Sequence, residues 1–272
     1  MRPALVAAVL AVLLGGGCDR FQSRTDPNYS EPMINGYLYT VEFYDGTRAY
    51  DTDIEVFDNR GLRMVPVVRL NGAEVDPYLY GTTVYRYGDT LPFEVYATYR
   101  LEVEHYWGEA FSRVVMPGDF RMTSPPVNYI MGRDSTLVIT WEHSDGAQWY
   151  WFDSYFEYDF IDWNQQWDDY SFDFDTLVSD TFVVIPPEKV FPGYVEEVLE
   201  GDASVYVLAG YGPQVEPGDY GNVHGAGFGF FSAGNEPMEK YFYVGAPPCD
   251  GRRSGRDRPR WAGQARGFRP GR

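Results

Sequence analysis

From Ile34 onward the chain alternates apolar and polar positions with period two, the signature of half-buried strands. Tyr37, Tyr39, Val41 and Phe43 share one face, and Asp45-Gly46 follows as a turn. Val67-Val68-Arg69-Leu70 and Ala73-Glu74-Val75 flank Asn71-Gly72, a pair that tolerates positive φ at both central positions and so predicts a tight hairpin. From 93 to 105, Phe93, Val95, Ala97, Tyr99, Leu101, Val103 and His105 alternate with Glu94, Tyr96, Thr98, Arg100, Glu102 and Glu104, which predicts one long strand. Residues 111–115 form another, stopped by Met116-Pro117-Gly118. Further strands are predicted at 137–141, 149–160, 182–185, 205–208 and 228–231. Only 194–199 has helical spacing, with Tyr194, Val195, Val198 and Leu199 on one side. Short strands separated by turns argue for an all-β chain of two antiparallel β-sandwich domains, 34–124 and 125–248. The division is placed in the Pro- and Gly-containing stretch 123–134.

Charge divides the chain differently. The net charge of −18 over 272 residues is a sum of unlike parts. Residues 19–248 hold 13 bases against 38 acids, whereas 249–272 hold eight bases and two acids. An acidic body argues against binding nucleic-acid phosphates. The tail 249–272 has no apolar periodicity and reads as a basic disordered arm for anionic lipid, envelope polysaccharide or an acidic partner. The abrupt change after Pro248 is equally read as translation in a shifted frame. Two cysteines, Cys18 and Cys249, exclude a disulfide-rich scaffold and a multi-thiolate zinc site.

The first residues are an address. Arg2 supplies a basic start, residues 4–14 are uninterruptedly apolar, and Gly15-Gly16-Gly17 precede Cys18. This is a secretory signal, 1–17, too short to remain as a spanning helix. Small residues directly before a cysteine resemble the lipobox of bacterial lipoproteins, with Gly15 in place of the usual Leu. The resemblance implies cleavage before Cys18, diacylglyceryl modification of its thiol, and anchoring in the bacterial cell envelope. Asp19 follows the cysteine, which in enterobacteria tends to retain such proteins at the inner membrane. Residues 18–33, polar and broken by Pro27 and Pro32, are the expected tether.

The second block resembles a fibronectin type III or immunoglobulin-like module. Leu137-Val138-Ile139-Thr140-Trp141 stands for an early core strand bearing Trp, 149–152 for its partner, and 205–209 for a late strand. The acidic segment 153–180 is longer than such a module expects. The closing run 221–231 is similar to the end of lipid-anchored envelope proteins of unknown function.

Catalytic machinery is absent from the pattern. His105, His143 and His224 are the only histidines, and no G-x-S-x-G elbow or H-E-x-x-H helix occurs. The glycines of 221–229 run into a strand rather than a helix N-terminus, so they do not read as a phosphate loop. The most unusual stretch is 159–175, where acids interleave with aromatics. Three readings compete. Phe172 and Phe174 alternating with Asp173 and Asp175 describe an edge strand guarded by charge. Asp168, Asp169, Asp173 and Asp175 describe a calcium site without the usual loop. Trp163, Trp167 and Tyr170 describe a stacking surface for sugar rings or a protein partner. The expected protein is therefore a non-enzymatic, lipid-anchored envelope module for binding or assembly, with no cofactor and no nucleic-acid partner. Its alternative is a carbohydrate-binding accessory lipoprotein.

Overall fold

A computed structural model describes residues 31–246, except 44, 59, 81–82, 88–92, 215–220 and 238. The expected signal, Cys18, most of the tether and the basic tail lie outside the described residues. Among the described residues the chain is nearly all β, with one helical turn at Pro187–Val190.

The organising strand is β15 (Val195–Tyr211), numbered in chain order among the eighteen strands of the described residues. One of its edges pairs antiparallel with β12 (Trp149–Asp162), which pairs in turn with the edge strand β13 (Trp167–Val178). Its other edge is divided. Residues 200–205 pair with β18 (Lys240–Gly245), whereas 209–211 pair with β17 (Phe228–Glu236). The sheet therefore forks at β15. Beyond β18 lies β10 (Ile130–Met131). Beyond β17 lie β1 (Met33–Glu42), β2 (Arg48–Phe57), β6 (Thr83–Tyr87) and β5 (Pro77–Tyr80).

Alternation then decides where each side chain goes. The pairs Ala209↔Asn235 and Tyr211↔Ala233 put odd residues of β15 and β17 on one face. That face buries Phe152, Phe156, Val205 and Val207 on one branch and Ile34, Leu38, Ile54 and Phe231 on the other. Over the first group lies a three-stranded sheet of β9 (Met122–Ser124), β11 (Leu137–Trp141) and β14 (Phe182–Ile185), which contributes Ile139, Trp141 and Ile185. Over the second lies a five-stranded sheet of β3 (Val67–Leu70), β4 (Ala73–Glu74), β7 (Thr98–His105), β8 (Gly108–Val115) and β16 (His224–Gly225), which contributes Val68, Leu101, Val103 and Val114. Both cores lie on the same side of one forked sheet. The three-stranded sheet packed around Trp141 on the β13–β12–β15–β18–β10 branch is a β-sandwich of the expected kind.

The cores do not divide at 124/125. Val223, Phe231 and Ala233 complete the first, and Phe120 and Met122 belong to the second. β17 leaves the second sandwich after β15, pairs in parallel with β1 from Met33↔Phe228 to Val41↔Glu236, and returns as β18. Gly229 permits the close approach. Its φ is +121°, and a Cβ there would collide with the Ile34 carbonyl oxygen.

Two local expectations are corrected. The strand predicted at 93–105 begins only at Thr98, because Tyr96 adopts φ +64°. Tyr96 N–H donates to Met116 O while Met116 N–H donates to Ala97 O, so two residues oppose one in a bulge. Residues 195–199 are the start of β15 rather than a helix. Register shifts against β12 at Phe160 and Asp162 break the period-two pattern and mimic helical spacing. The Asn71-Gly72 hairpin forms as expected, with φ of 51° and 80°.

Candidate functional site

The sheet face opposite the cores is set by the same alternation. It carries Trp151, Asp153, Tyr155, Glu157 and Asp159 of β12, and Tyr206, Ser204 and Asp202 of β15. Asp169, Asp173 and Asp175 of β13 and Tyr241 and Tyr243 of β18 lie on it too. No Lys or Arg occurs in β12, β13, β15 or β17. Lys240 of β18 donates to Pro125 O. Lys240 is the one basic residue of β12, β13, β15, β17 and β18, so these strands are strongly acidic.

At the fork the acids become half-buried. Tyr39 donates to the Glu236 carboxyl, and Tyr206 donates to Asp153 Oδ2 at 2.7 Å. Tyr241 donates to Glu239 at 2.5 Å. Trp151 meets Tyr206 edge-on with centroids 5.4 Å apart. Burial, reinforced by Glu239 and Asp153, pushes the Glu236 carboxyl up to about 8 against the pull of Tyr39. Burial and Asp153 push Glu239 up to about 7, opposed by a bond from Ser204. Asp153 is also raised, by burial first and then by Asp175 and Asp173, while the Tyr206 bond pulls it down. Each of these carboxyls has a hydroxyl partner within the molecule, so the cluster works as a buckle where the sheet divides. Nothing in the sequence pointed to it, because Glu236 and Asp153 are 83 positions apart and meet only through the fork.

The other notable site is the β12–β13 hairpin tip. Asp162 Oδ1 accepts the N–H groups of Asn164 and Gln166, both at 2.8 Å, and Gln165 Nε2 donates to Glu196 of β15 at 3.1 Å. The bonds from Gln166 and Asn164 hold the Asp162 carboxyl below its ordinary range. The tip is thus braced, and it displays Trp163 at 68% exposure and Trp167 at 62%. Tyr170 does not join them. It faces the core side of β13, where its ring lies 5.6 Å from that of Tyr158.

The four aspartates of the calcium reading are not gathered. Pairing with Phe160 turns Asp168 to the core side, whereas Asp169, Asp173 and Asp175 face the other way. Along one strand face Asp169 and Asp173 are about 13 Å apart. Among the described residues no group of three or more His, Cys, Asp or Glu is placed to hold a metal ion. β13 is instead the guarded edge strand of the first reading: it pairs only with β12, and Asp173 and Asp175 are exposed beside half-buried Phe172 and Phe174. His105 and His143 are engaged structurally, with Ala226 O and the Tyr150 hydroxyl.

No family model and no curated protein matches the sequence. Among solved structures, the chain is similar to fibronectin(III)-like modules of Clostridium thermocellum CbhA. The TM-score is 0.25 and the identity 10%, over 79% of this chain and 94% of that one. The overlap is loose, and the sandwich assignment rests on the strand order itself.

Proposed function

We propose that the protein is a non-enzymatic, lipid-anchored module of the bacterial cell envelope that presents a binding tip away from its membrane. One observation carries the reading: the exposed tryptophans and the point where the tether enters lie at opposite ends of the forked sheet. Glu197 of β15 lies opposite Ile161 beside the tip, and Ala209 lies opposite Asn235 at the fork. β17 then runs back from Asn235 to Phe228, whose N–H donates to Pro32 O at the start of β1. At strand rise the path between the two ends is at most about 60 Å. A lipid at Cys18 and a tether through residue 31 would hold the Pro32 end close to the bilayer.

The ligand class that fits the tip is a neutral glycan. Two exposed indoles on a braced turn offer flat apolar faces at small entropic cost, and the acidic strands beside them disfavour phosphate-rich or uronate-rich polymers. The same tip would serve a protein partner in assembly. Two measurements test the proposal. Fatty-acid labelling in a bacterial host is expected for wild type and lost in Cys18→Ser; equal labelling would refute the anchor. On an array of neutral glycans, Trp163→Ala and Trp167→Ala are each expected to weaken binding at least about tenfold, as for an anchoring aromatic. Undiminished binding in both variants would remove the tip as the site, and an array without binding would leave the assembly reading.

A further inference from the structure

The end of the molecule where the tether enters carries its own set of exposed apolar side chains. β7 and β8 join through a two-residue turn, Tyr106-Trp107, between paired His105 and Gly108. Tyr106 is 94% exposed and Trp107 42%. Leu62 and Val65, at 56% and 69%, belong to the same end. Phe57 of β2 is paired with Met33, and Asp58 N–H donates to Leu62 O just beyond it. Val65 lies two positions before Val67, which pairs with Glu104 beside the turn.

The turn is braced against the entering chain. His105 Nε2–H donates to Ala226 O at 2.7 Å, which leaves Nδ1 to accept the Trp107 N–H at 3.2 Å. Ala226 N–H donates to Glu109 O, and two residues on, Phe228 N–H donates to Pro32 O. Pro32, the last residue before β1, is thus joined to the aromatic turn through one short segment, 226–228. The charges of this end are mixed: Arg60 pairs with Asp58 and Arg69 with Glu104, and Glu109 lies beside the turn.

We propose that this end seats on the membrane, with Tyr106, Trp107, Leu62 and Val65 in the lipid headgroup layer. The inference rests on the anchored reading above and adds an orientation to it. Trp and Tyr favour the membrane interface, where an apolar ring and a polar edge are both satisfied. Thirteen residues separate Cys18 from Pro32, a reach of at most about 50 Å. A chain that short raises the local concentration of the turn at the bilayer to about the millimolar range, so weak partitioning suffices to dock it. The mixed charges of this end, with Arg60 and Arg69 paired to acids, suit a zwitterionic surface.

The test anchors the chain independently of native acylation. The protein from Cys18 onward, carrying Cys249→Ser, is coupled through Cys18 to maleimide lipid in phosphatidylcholine vesicles. Tryptophan emission is compared with and without bromine on the upper acyl chain. The expected result is bromine-dependent quenching that falls in Trp107→Phe and is retained in Trp163→Phe. Quenching that is absent in the parent, or equal in the parent and Trp107→Phe, would overturn the proposal. Failure of native acylation shows separately in the fatty-acid labelling, so the two ideas fail apart.

Discussion

Glu236 and Glu239 carry the clearest consequence at the scale of single residues. Their carboxyls titrate at about 8 and about 7 in the folded chain, against 4.5 for an ordinary glutamate. The folded state therefore holds protons that the unfolded state releases. Their favourable contribution is full below about 4.5 and is lost as pH rises through 7 to 8. Asp153 acts in the same direction, whereas the lowered carboxyls Asp45, Asp58 and Asp162 act below this window. Melting temperature is expected to fall between pH 5 and pH 9. Glu236→Gln, which keeps an acceptor for Tyr39, is expected to flatten that slope and to exceed wild type in stability at pH 9. An unchanged slope in the variant would contradict the buried-carboxyl account. Residues with local signals were legible beforehand: Asn71-Gly72 through turn chemistry, and Asp173 and Asp175 through strand alternation. The Tyr39–Glu236 pair was not, since its partners lie 197 positions apart and no local pattern encodes their meeting.

At the scale of elements, β17 decides how the chain folds. It pairs along nine positions with β1, and its Phe231 and Ala233 fill the first core beside Ile34 and Leu38. A fragment of residues 31–124 lacks this strand and exposes the whole inner edge of β1. It is expected to show no cooperative thermal transition by circular dichroism, whereas the full chain melts cooperatively. A fragment with dispersed amide resonances and a sharp melt would contradict the shared sheet. The strand positions of β11, β12 and β13 were readable because alternation is a local property. Their partners were not, because sheet pairing between distant segments leaves no period in the sequence. Where a bulge intervenes, as at Tyr96 or at Phe160 against Val198, even the local period misleads: it extended one strand through a turn and gave another the spacing of a helix.

At the scale of the whole molecule, the fork joins two hydrophobic cores on one sheet and gives the body unlike ends. One end holds Pro32 and displays Tyr106 and Trp107; the other displays Trp163 and Trp167 on a braced hairpin. The acidic face between them carries the charge that composition first revealed, ordered by alternation on β12, β13 and β15. The anchored-presenter account requires that the distal hairpin stand clear of the bilayer. Its most direct test is energy transfer from a donor at the tip, on Asn164→Cys in a Cys249→Ser background, to acceptors at the surface of the membrane that holds the acylated protein. The account predicts weak transfer, corresponding to a hairpin held several nanometres above the lipid surface, on the order of 40 Å. Efficient transfer, placing the Trp163–Trp167 hairpin at the lipid surface, would contradict it.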